Sequence, residues 1–393
     1  MPSKPVRILH VISGLPVGGA QTMLFNLMKG FNKRDFEMSV VSLTDIGIVG
    51  RRLQEEGFTV HALNMNKGVP NPLALLRLVS LIRRHSPDIV QTWMYHADLL
   101  GGLGAKLARR PCVWNIRQSN FDPKYTRRMT LWTVRACTQL SHWLPKLIIC
   151  NSQNAAQLHR RLGYRSNDLV VVPNGIDSSL FRPDNDAYQS VREELGLTSK
   201  RLLVGLIARF HPQKDHATFL EAAASVAQER NDVDFLLCGE GVTEDNDWLR
   251  SWLRIHSDVA SRFHVLGIRQ DIPRLSAALD VAVSSSAYGE GFSNAIVEAM
   301  ASGVPCVVTD VGDSVAIVGD TGRTTSPRNA GELAAGIRDL LAAPEERLRL
   351  GRMARFKVEA EYSFDTAADQ YAEIYRELDR SSYNSKIFGR LHG

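Results

Sequence analysis

Short apolar segments alternate with amphipathic segments along almost the whole chain of 393 residues. The apolar segments have the length of buried β-strands, and each is followed by residues with helical spacing. Such strand–helix units bury both faces of a sheet only if the strands are parallel and helices cover both faces. The pattern is interrupted at "VVPNGIDSSLFRPD", where two prolines and an Asn-Gly turn favour a hinge. The sequence therefore predicts an α/β protein with two doubly wound domains.

Composition narrows the class of protein. Hydrophobic residues make up 44% of the chain and charged residues 23%, which is typical of a globular domain. No apolar run approaches the ~18 residues of a transmembrane helix. The start, "MPSKPVRILHVISGL", carries His10 and runs into a glycine loop, so it is interpreted as a first strand and not a signal peptide. The five cysteines lack metal-ligand spacing and predict reduced, buried thiols in a cytosolic protein.

Positive charge is concentrated in one segment. The net charge is +5, but residues 99–167 contain twelve lysines and arginines and a single acid, Asp122. This asymmetry indicates a polyanion, an anionic membrane surface or a phosphorylated substrate. The part "PKYTRRMTLWTVRACTQLSHWLPK" also holds Trp132 and Trp143. It is either a solvated helix face with its tryptophans in the core, or a surface helix resting on anionic lipid.

In open α/β sheets, ligands bind beyond the carboxyl ends of the strands. In "LLVGLIARFHPQKDH", Arg209 and Lys214 follow an apolar strand, so they are either solvated loop residues or neighbours of a doubly anionic ligand. In "LPVGGAQ", Gly18 and Gly19 form a tight turn or let backbone amides approach a phosphate. This is not the GxGxxG fingerprint, which disfavours a nicotinamide dehydrogenase.

The stretch "SSSAYGEGFSNAIVEAMASGVPCVVTD" predicts a strand, a turn at Glu290 and Gly291, and a helix that begins near Ser293. The first amides of that helix would favour an anion. If the region is helical throughout, Glu290 and Glu298 are ~12 Å apart along the axis. Glycosidase carboxylates are ~5–9.5 Å apart, so this pair fits better as two hydrogen-bond acceptors for the sugars of a long ligand.

Together, "ARFHPQKDH" and "EGFSNAIVEAMASGVP" resemble the signature of retaining GT-B glycosyltransferases of family four. The resemblance extends over most of the chain through "GLPVGGAQTMLFNL", "YHADLLG", "VVPNGID", "LLCGEG" and "VLGIRQDIPRLSAALDVAVSSS". It implies a GT-B fold, in which two Rossmann-like domains with parallel sheets face each other across a cleft. The domains expected from it are an acceptor-side N-terminal domain (1–175), a nucleotide-sugar donor domain (176–365), a C-terminal helix that crosses back to the N-terminal domain (366–380) and a tail (381–393).

The resemblance also implies roles for individual residues. Arg209 and Lys214 would clamp the donor diphosphate and neutralise the charge that develops on the leaving group. Glu290 would hold donor-sugar hydroxyls, Glu298 would bind the ribose, and His96 would contact the transferred sugar. A histidine at a helix start is otherwise a cap or a structural hydrogen-bonder. The complete catalytic set would be His96, Glu290, Arg209 and Lys214; the donor-binding set would be Gly18, Gly19, Arg209, Lys214, Gly239, Arg269, Glu290, Gly291, Phe292, Ser293, Asn294 and Glu298.

Other polar residues have weaker assignments. Arg269 and its loop would contact the base, largely through backbone groups. Asn151, Ser152 and Asn174 would lie near the cleft or serve as cap and hinge residues. The family uses neither a divalent metal nor a cofactor, since the two cations supply the charge. Three Asp-x-Asp triplets are interpreted as turns or strand starts and not as metal sites: Asp184/Asp186, Asp232/Asp234 and Asp245/Asp247.

The resemblance thus implies a metal-independent hexosyltransferase that retains the anomeric configuration. The donor would be UDP- or GDP-linked, and the acceptor a glycan or a polyprenyl-diphosphate-linked sugar in polysaccharide or lipid-linked glycan biosynthesis. The protein would be cytoplasmic or peripheral at the cytoplasmic membrane face through residues 99–167, with no nucleic-acid partner. Two alternatives remain open: a GT-B nucleotide-sugar 2-epimerase and a non-catalytic nucleotide-sugar binding partner in a membrane assembly.

Overall fold

The computed structural model describes residues 4–66, 72–119 and 128–380. The predicted tail (381–393), and Lys124 and Arg127 of the basic segment, lie outside the described residues. The chain divides into two compact units, with one boundary after Gly175 and another before Phe364. Each unit is built on a parallel sheet, which confirms the prediction of two α/β domains.

The first unit contains, in its described residues, a parallel sheet of seven strands in the order β3-β2-β1-β4-β5-β6-β7. Its elements are β1 (Val6–Ile12), α1 (Gly19–Gly30), β2 (Phe36–Ser42), α2 (Gly47–Glu55), β3 (Thr59–Ala62), α3 (Pro72–His85), β4 (Ile89–Trp93), α4 (Tyr95–Leu107), β5 (Cys112–Ile116), α5 (Arg128–Leu140), β6 (Leu147–Cys150), α6 (Gln153–Arg161) and β7 (Leu169–Val171).

The central strands of this sheet are apolar because helices cover both faces. Strands β4, β5 and β6 are buried along their whole length. Trp93 and Trp114 are completely buried on these strands, one in each of two separate apolar clusters. Strand order reverses between β1 and β4: the strand after β1 in the chain lies on one side of this pair, and the strand after β4 lies on the other side. Such a switch point opens a crevice at the carboxyl edge of the sheet.

The second unit contains, in its described residues, a sheet of six parallel strands in the order β10-β9-β8-β11-β12-β13. Its switch point lies between β8 and β11. Its elements are α7 (Asn185–Glu194), β8 (Leu202–Ile207), α8 (His216–Glu229), β9 (Val233–Cys238), α9 (Asp247–Ile255), β10 (Phe263–Val265), α10 (Ile272–Ala277), β11 (Val281–Ser284), α11 (Asn294–Ala301), β12 (Cys306–Thr309), α12 (Ser314–Val318), β13 (Arg323–Thr325), α13 (Ala330–Ala342) and α14 (Pro344–Glu361).

A long amphipathic helix, α15 (Phe364–Arg380), completes the first unit and packs against α1, β1 and β4. Two fully buried tyrosines attach it to the sheet. The Tyr375 hydroxyl donates to Gln91 Oε1 at 2.5 Å, and Asn115 Nδ2 donates to the Tyr371 hydroxyl at 2.7 Å. Because these polar groups are buried, each hydrogen bond fixes the position of the helix on the sheet.

Two further sequence expectations concern burial. All five cysteines are buried and free, as the apolar surroundings of their segments predicted. Among residues 4–66, 72–119 and 128–380, no helix combines the length and apolar character needed to span a bilayer.

Candidate active site

A buried ion pair joins the two strand ends at the switch point of the second unit. After β8, residues 212–214 form one short 3₁₀ turn that ends at Lys214. Asp215 follows in the left-handed conformation with φ 47° and caps α8 by accepting a hydrogen bond from the Thr218 amide at 3.3 Å. Lys214 Nζ lies 2.5 Å from Glu290 Oε1, in the loop after β11. The structure therefore brings together two residues that are 76 positions apart.

Glu290 is held on both carboxylate oxygens, and only 4% of its surface is exposed. Gln213 Nε2 donates to Glu290 Oε2 and to the Gly289 carbonyl oxygen, both at 2.9 Å. Ser286 Oγ is 3.4 Å from the same carboxylate oxygen. Gln213 was not assigned a role from sequence, although it directly precedes Lys214. A carboxylate fixed in this way is a rigid acceptor for hydroxyl groups.

Arg209 lies beside this pair in the chain and is exposed to solvent. Its side chain has no ion pair or hydrogen bond within the described part of the molecule, so its charge is available to an anion. The loop that carries Arg209 passes close to Gly239, which has φ 153°. A Cβ on Gly239 would lie 2.2 Å from the Ala208 carbonyl oxygen. Gly239 thus allows the two loops to approach each other.

Helix α11 begins at Asn294, close to the predicted start. Ser293 occupies the N-cap position and is buried, but its side chain makes no capping hydrogen bond. The simple capping interpretation therefore does not account for this serine. Glu290 precedes the helix and Glu298 lies within it. The expected ~12 Å separation assumed one continuous helix from Glu290 to Glu298, and that assumption is wrong.

The intervening residues have structural contacts of their own. The Gly291 carbonyl oxygen accepts a hydrogen bond from the Asp313 amide at 3.3 Å. Phe292 packs edge-on against Tyr362, with ring centroids 5.5 Å apart. Gly312, which sequence reasoning missed, has φ 64°, and a Cβ there would lie 2.0 Å from the Glu290 carbonyl oxygen. Only glycine allows this close approach, and no short motif in the sequence signals it.

Glu298 lies inside α11 and is partly buried. Burial raises the pKa of its carboxyl group to about 7. At neutral pH the group is therefore divided between its neutral and ionised forms. Hydrogen bonds donated to the carboxylate would favour the ionised form.

Arg269 has its guanidinium group engaged by two acids. It lies 2.7 Å from Glu194 Oε1 and 2.7 Å from Asp271 Oδ2. These hydrogen bonds hold the pKa of Arg269 above its ordinary value. Contact between this loop and the base stays a prediction. Backbone groups of the loop would make that contact, because the Arg269 side chain is already paired with two acids.

The Asp-x-Asp triplets have structural partners. Asp184 caps α7 by accepting from the Ala187 amide at 2.9 Å, and Asp247 is paired with Arg250 on the same helix. Asp234 is paired with Arg201. Within the described residues, no group of three or more His, Cys, Asp and Glu side chains is arranged to hold a metal ion.

His96 lies in the first turn of α4, immediately beyond β4, in the first unit. It is partly buried, and burial lowers the pKa of its imidazole, so the ring is neutral at neutral pH. No hydrogen bond of its side chain occurs among the described residues, and α4 has no side-chain cap. Just before it, Met94 adopts φ 70°, a conformation that costs free energy and often marks functional sites.

Two other predicted regions lie at the carboxyl edge of the same sheet. Gly18 and Gly19 form the N-cap and first residue of α1, after β1. Ser152 caps α6 by accepting from the Ala155 amide at 3.0 Å, which supports the cap interpretation for that residue. The buried Asn174 accepts a hydrogen bond from Arg117.

Comparison with known proteins adds two family matches. Residues 201–343 match the family described as Glycosyl transferases group 1, and residues 17–180 match Glycosyltransferase Family 4. The chain is 29% identical to the putative glycosyltransferase EpsF of Bacillus subtilis over 79% of this chain and 80% of that protein. It is 27% identical to the UDP-Gal:alpha-D-GlcNAc-diphosphoundecaprenol alpha-1,3-galactosyltransferase of Escherichia coli over 62% of this chain and 63% of that protein.

A solved structure has the same fold. HepE of Anabaena, crystallised with UDP, superposes with a TM-score of 0.84 and 24% identity, over 95% of this chain and 100% of that chain. At this level of identity the likeness concerns architecture, and it supports the predicted two-domain α/β fold.

Proposed function

Because the chain is a GT-B glycosyltransferase of the group 1 and family 4 type, we propose that it transfers a hexose from a nucleotide-diphosphate donor to an acceptor hydroxyl with retention of configuration. The site of the second unit would bind the donor. The observation that carries this proposal is the buried Lys214–Glu290 pair, with Arg209 exposed to solvent in the same loop and without an ion pair among the described residues.

Each member of this group has a chemical task. The Lys214 ammonium has three N–H donors, of which Glu290 takes one, so two remain for phosphate oxygens. Arg209 would contribute its forked guanidinium to the same diphosphate. Both cations would stabilise the negative charge on the nucleoside diphosphate as the sugar–oxygen bond breaks. Glu290 would accept hydrogen bonds from the donor-sugar hydroxyls, since its position is already fixed.

The remaining assignments concern groups that would contact the diphosphate, the ribose and the transferred sugar. The amides of α11 near Ser293 and Asn294 would add partial positive charge. Glu298 would accept hydrogen bonds from the ribose hydroxyls. We favour attack of the acceptor on the same face from which the leaving group departs, with the leaving phosphate accepting the proton. His96 would contact the transferred sugar as a neutral imidazole.

The relatives suggest the donor and the acceptor. HepE was crystallised with UDP and with UDP-glucose, and the Escherichia coli relative is named for a UDP-galactose donor and a diphosphoundecaprenol-linked acceptor. We therefore propose a UDP-linked donor and a lipid-linked diphosphate acceptor in surface-glycan or polysaccharide assembly. These relatives favour transfer over the 2-epimerase and the silent binding partner.

The first experiment is a thermal-stability screen against UDP, GDP, ADP and TDP, with and without EDTA. A ligand at a hundred times its Kd adds about 2.7 kcal/mol of stability, which is measurable as a shift in Tm. We expect UDP to stabilise the protein and EDTA to have no effect. No response to any nucleoside diphosphate would contradict the proposed donor site. Loss of the shift in Lys214→Ala, but not in Lys200→Ala, would link it to the buried pair.

We also propose that the first unit associates with an anionic membrane surface. In the basic segment, Trp132 is 65% exposed and Trp143 is 74% exposed, so the interpretation with tryptophans in the core is wrong. On α5, the Arg135 guanidinium lies 5.5 Å from the Trp132 ring centroid, and Met129 is also exposed. Arginines next to exposed aromatic side chains are typical of helices that lie at a lipid interface.

Co-sedimentation with vesicles tests this association. Vesicles containing phosphatidylglycerol should bind the protein, whereas pure phosphatidylcholine vesicles should not, because the attraction requires anionic headgroups. Trp132→Ala together with Trp143→Ala should weaken binding, while Trp248→Ala, an exposed tryptophan of the second unit, should leave it unchanged. If the double tryptophan variant and Trp248→Ala bind the vesicles equally well, the proposal that α5 contacts the membrane is wrong.

A further inference from the structure

The carboxyl edge of the sheet in the first unit carries a partly buried cation, Arg117, which directly follows β5. Its guanidinium lies 5.5 Å from the Trp93 ring centroid. It donates a hydrogen bond to the side-chain oxygen of Asn174, and its Nη1 is 3.5 Å from the Tyr371 hydroxyl. These three groups are electrically neutral, so they orient the guanidinium without neutralising it.

Within the described residues, the Arg117 guanidinium forms no ion pair with an aspartate or glutamate at an N···O distance of 4.0 Å or less. The buried Arg192, by contrast, forms an ion pair with Asp280 at 2.6 Å. Burial lowers the pKa of Arg117, which reflects the cost of removing its charge from water. A partly buried cation whose described neighbours are all neutral loses hydration at a cost in free energy, and an anionic ligand would offset that cost.

The surroundings of Arg117 also favour an anion. Strand β5 lies between β4 and β6, so Arg117 lies between the ends of both neighbours. Helix α4 begins just beyond β4, and α6 begins just beyond β6. Helix N-termini carry partial positive charge, and both lie at the same edge of the sheet as the guanidinium.

His96 is close to this position in the fold. Trp93, the last residue of β4, lies beneath the Arg117 guanidinium, and His96 follows it in the first turn of α4. The Met94 amide donates to the Asn115 carbonyl oxygen at 3.1 Å, which ties the end of β4 to the end of β5. The proposed sugar-contacting histidine and Arg117 therefore follow the ends of two neighbouring strands at the same edge of the sheet.

We propose that Arg117 binds a phosphate or diphosphate group of the acceptor. The inference rests on the proposed transfer reaction and deepens it, because it assigns an acceptor-binding residue to the first unit. The planar guanidinium can donate two parallel hydrogen bonds to phosphate oxygens. The donor diphosphate already has Arg209 and Lys214 in the second unit. An anion at Arg117 thus belongs to the other substrate.

The test measures two ligands separately by isothermal titration calorimetry. UDP is titrated first, and it reports on the proposed donor site alone. Farnesyl diphosphate is then titrated in the presence of saturating UDP, so that the donor site is occupied, and farnesol serves as the uncharged probe. Arg117→Gln should weaken binding of farnesyl diphosphate about 10- to 100-fold, the usual effect of losing a charge-assisted contact. Arg117→Lys, which keeps the charge but not the fork, should lie between this variant and the wild type.

Arg160→Gln is the matched control, since it removes a charge of the same basic segment from the exposed last turn of α6. It should leave the affinity for farnesyl diphosphate within about twofold, because exposed charges are screened by salt. Unchanged affinity in Arg117→Gln and Arg117→Lys overturns the inference, and so does an equal loss of farnesol binding. Weaker UDP binding in Arg117→Gln would assign the residue to the donor and also overturn it. Absence of UDP binding in the wild type would instead contradict the proposed function.

Discussion

Replacing Lys214 by alanine removes the cation of the buried pair, while the hydrogen bond from Gln213 to Glu290 remains. Breaking a buried ion pair costs about 3–5 kcal/mol. We expect about 2 kcal/mol here, because the Lys214 side chain is 20% exposed and Gln213 still compensates the carboxylate. For a domain of this size, that loss lowers Tm by about 4–8 °C.

The effect on catalysis should be larger than the effect on folding. Loss of one donor to a developing negative charge lowers kcat by about 10²–10³-fold. The assay is release of UDP from a UDP-hexose with acceptor present, at a temperature where the variant remains folded. Addition of Glu290→Gln to the Lys214→Ala background removes the uncompensated carboxylate and should recover part of the lost Tm without restoring turnover. If Lys214→Ala turns over at a near-normal rate, the diphosphate clamp is refuted.

Three other predictions concern single groups. His96→Ala should lower kcat at least tenfold and leave the Kd for the nucleotide unchanged, as measured by steady-state kinetics and calorimetry; an unchanged kcat would return His96 to a structural role. Because burial raises the pKa of Glu298 to about 7, and ribose hydroxyls donate to the ionised form, nucleotide affinity should be full above pH 8 and fall below pH 7 by up to about tenfold per unit. Glu298→Gln should lack this dependence, and parallel pH profiles of the two proteins would contradict the ribose assignment. Gly312→Ala should lower both Tm and kcat, because its Cβ would lie 2.0 Å from the Glu290 carbonyl oxygen. Gly331→Ala in α13 is the control, since that position has room for the methyl group and the change should be neutral. Equal effects of the two variants on Tm and kcat would contradict the packing argument.

Local patterns in the sequence were sufficient for the architecture. Strand–helix alternation and the apolar character of the strands predicted two parallel sheets, because a strand that is buried on both faces has apolar residues at nearly every position. The loops beyond those strands could also be identified, since strand ends are recognisable from the chain alone. Arg209, Lys214 and Glu290 were singled out in this way and Glu298 by the helix that follows, together with the resemblance to a known family.

The sequence could not determine which residues pair. The approach of Lys214 to Glu290 depends on β8 and β11 being neighbours, and strand order is a property of the whole sheet. Burial likewise depends on all neighbours at once. It exposes Trp132 while Trp93 is completely covered, a difference that the residue type alone does not indicate.

Arg117 illustrates the difference most directly. By sequence it is one of twelve basic residues between positions 99 and 167. Tertiary structure distinguishes it, because strand order brings it beside Trp93 and the packing of α15 brings Tyr371 against it. A charge acquires its energetic significance from its solvent exposure and its partners, and both are decided only when distant segments of the chain pack together.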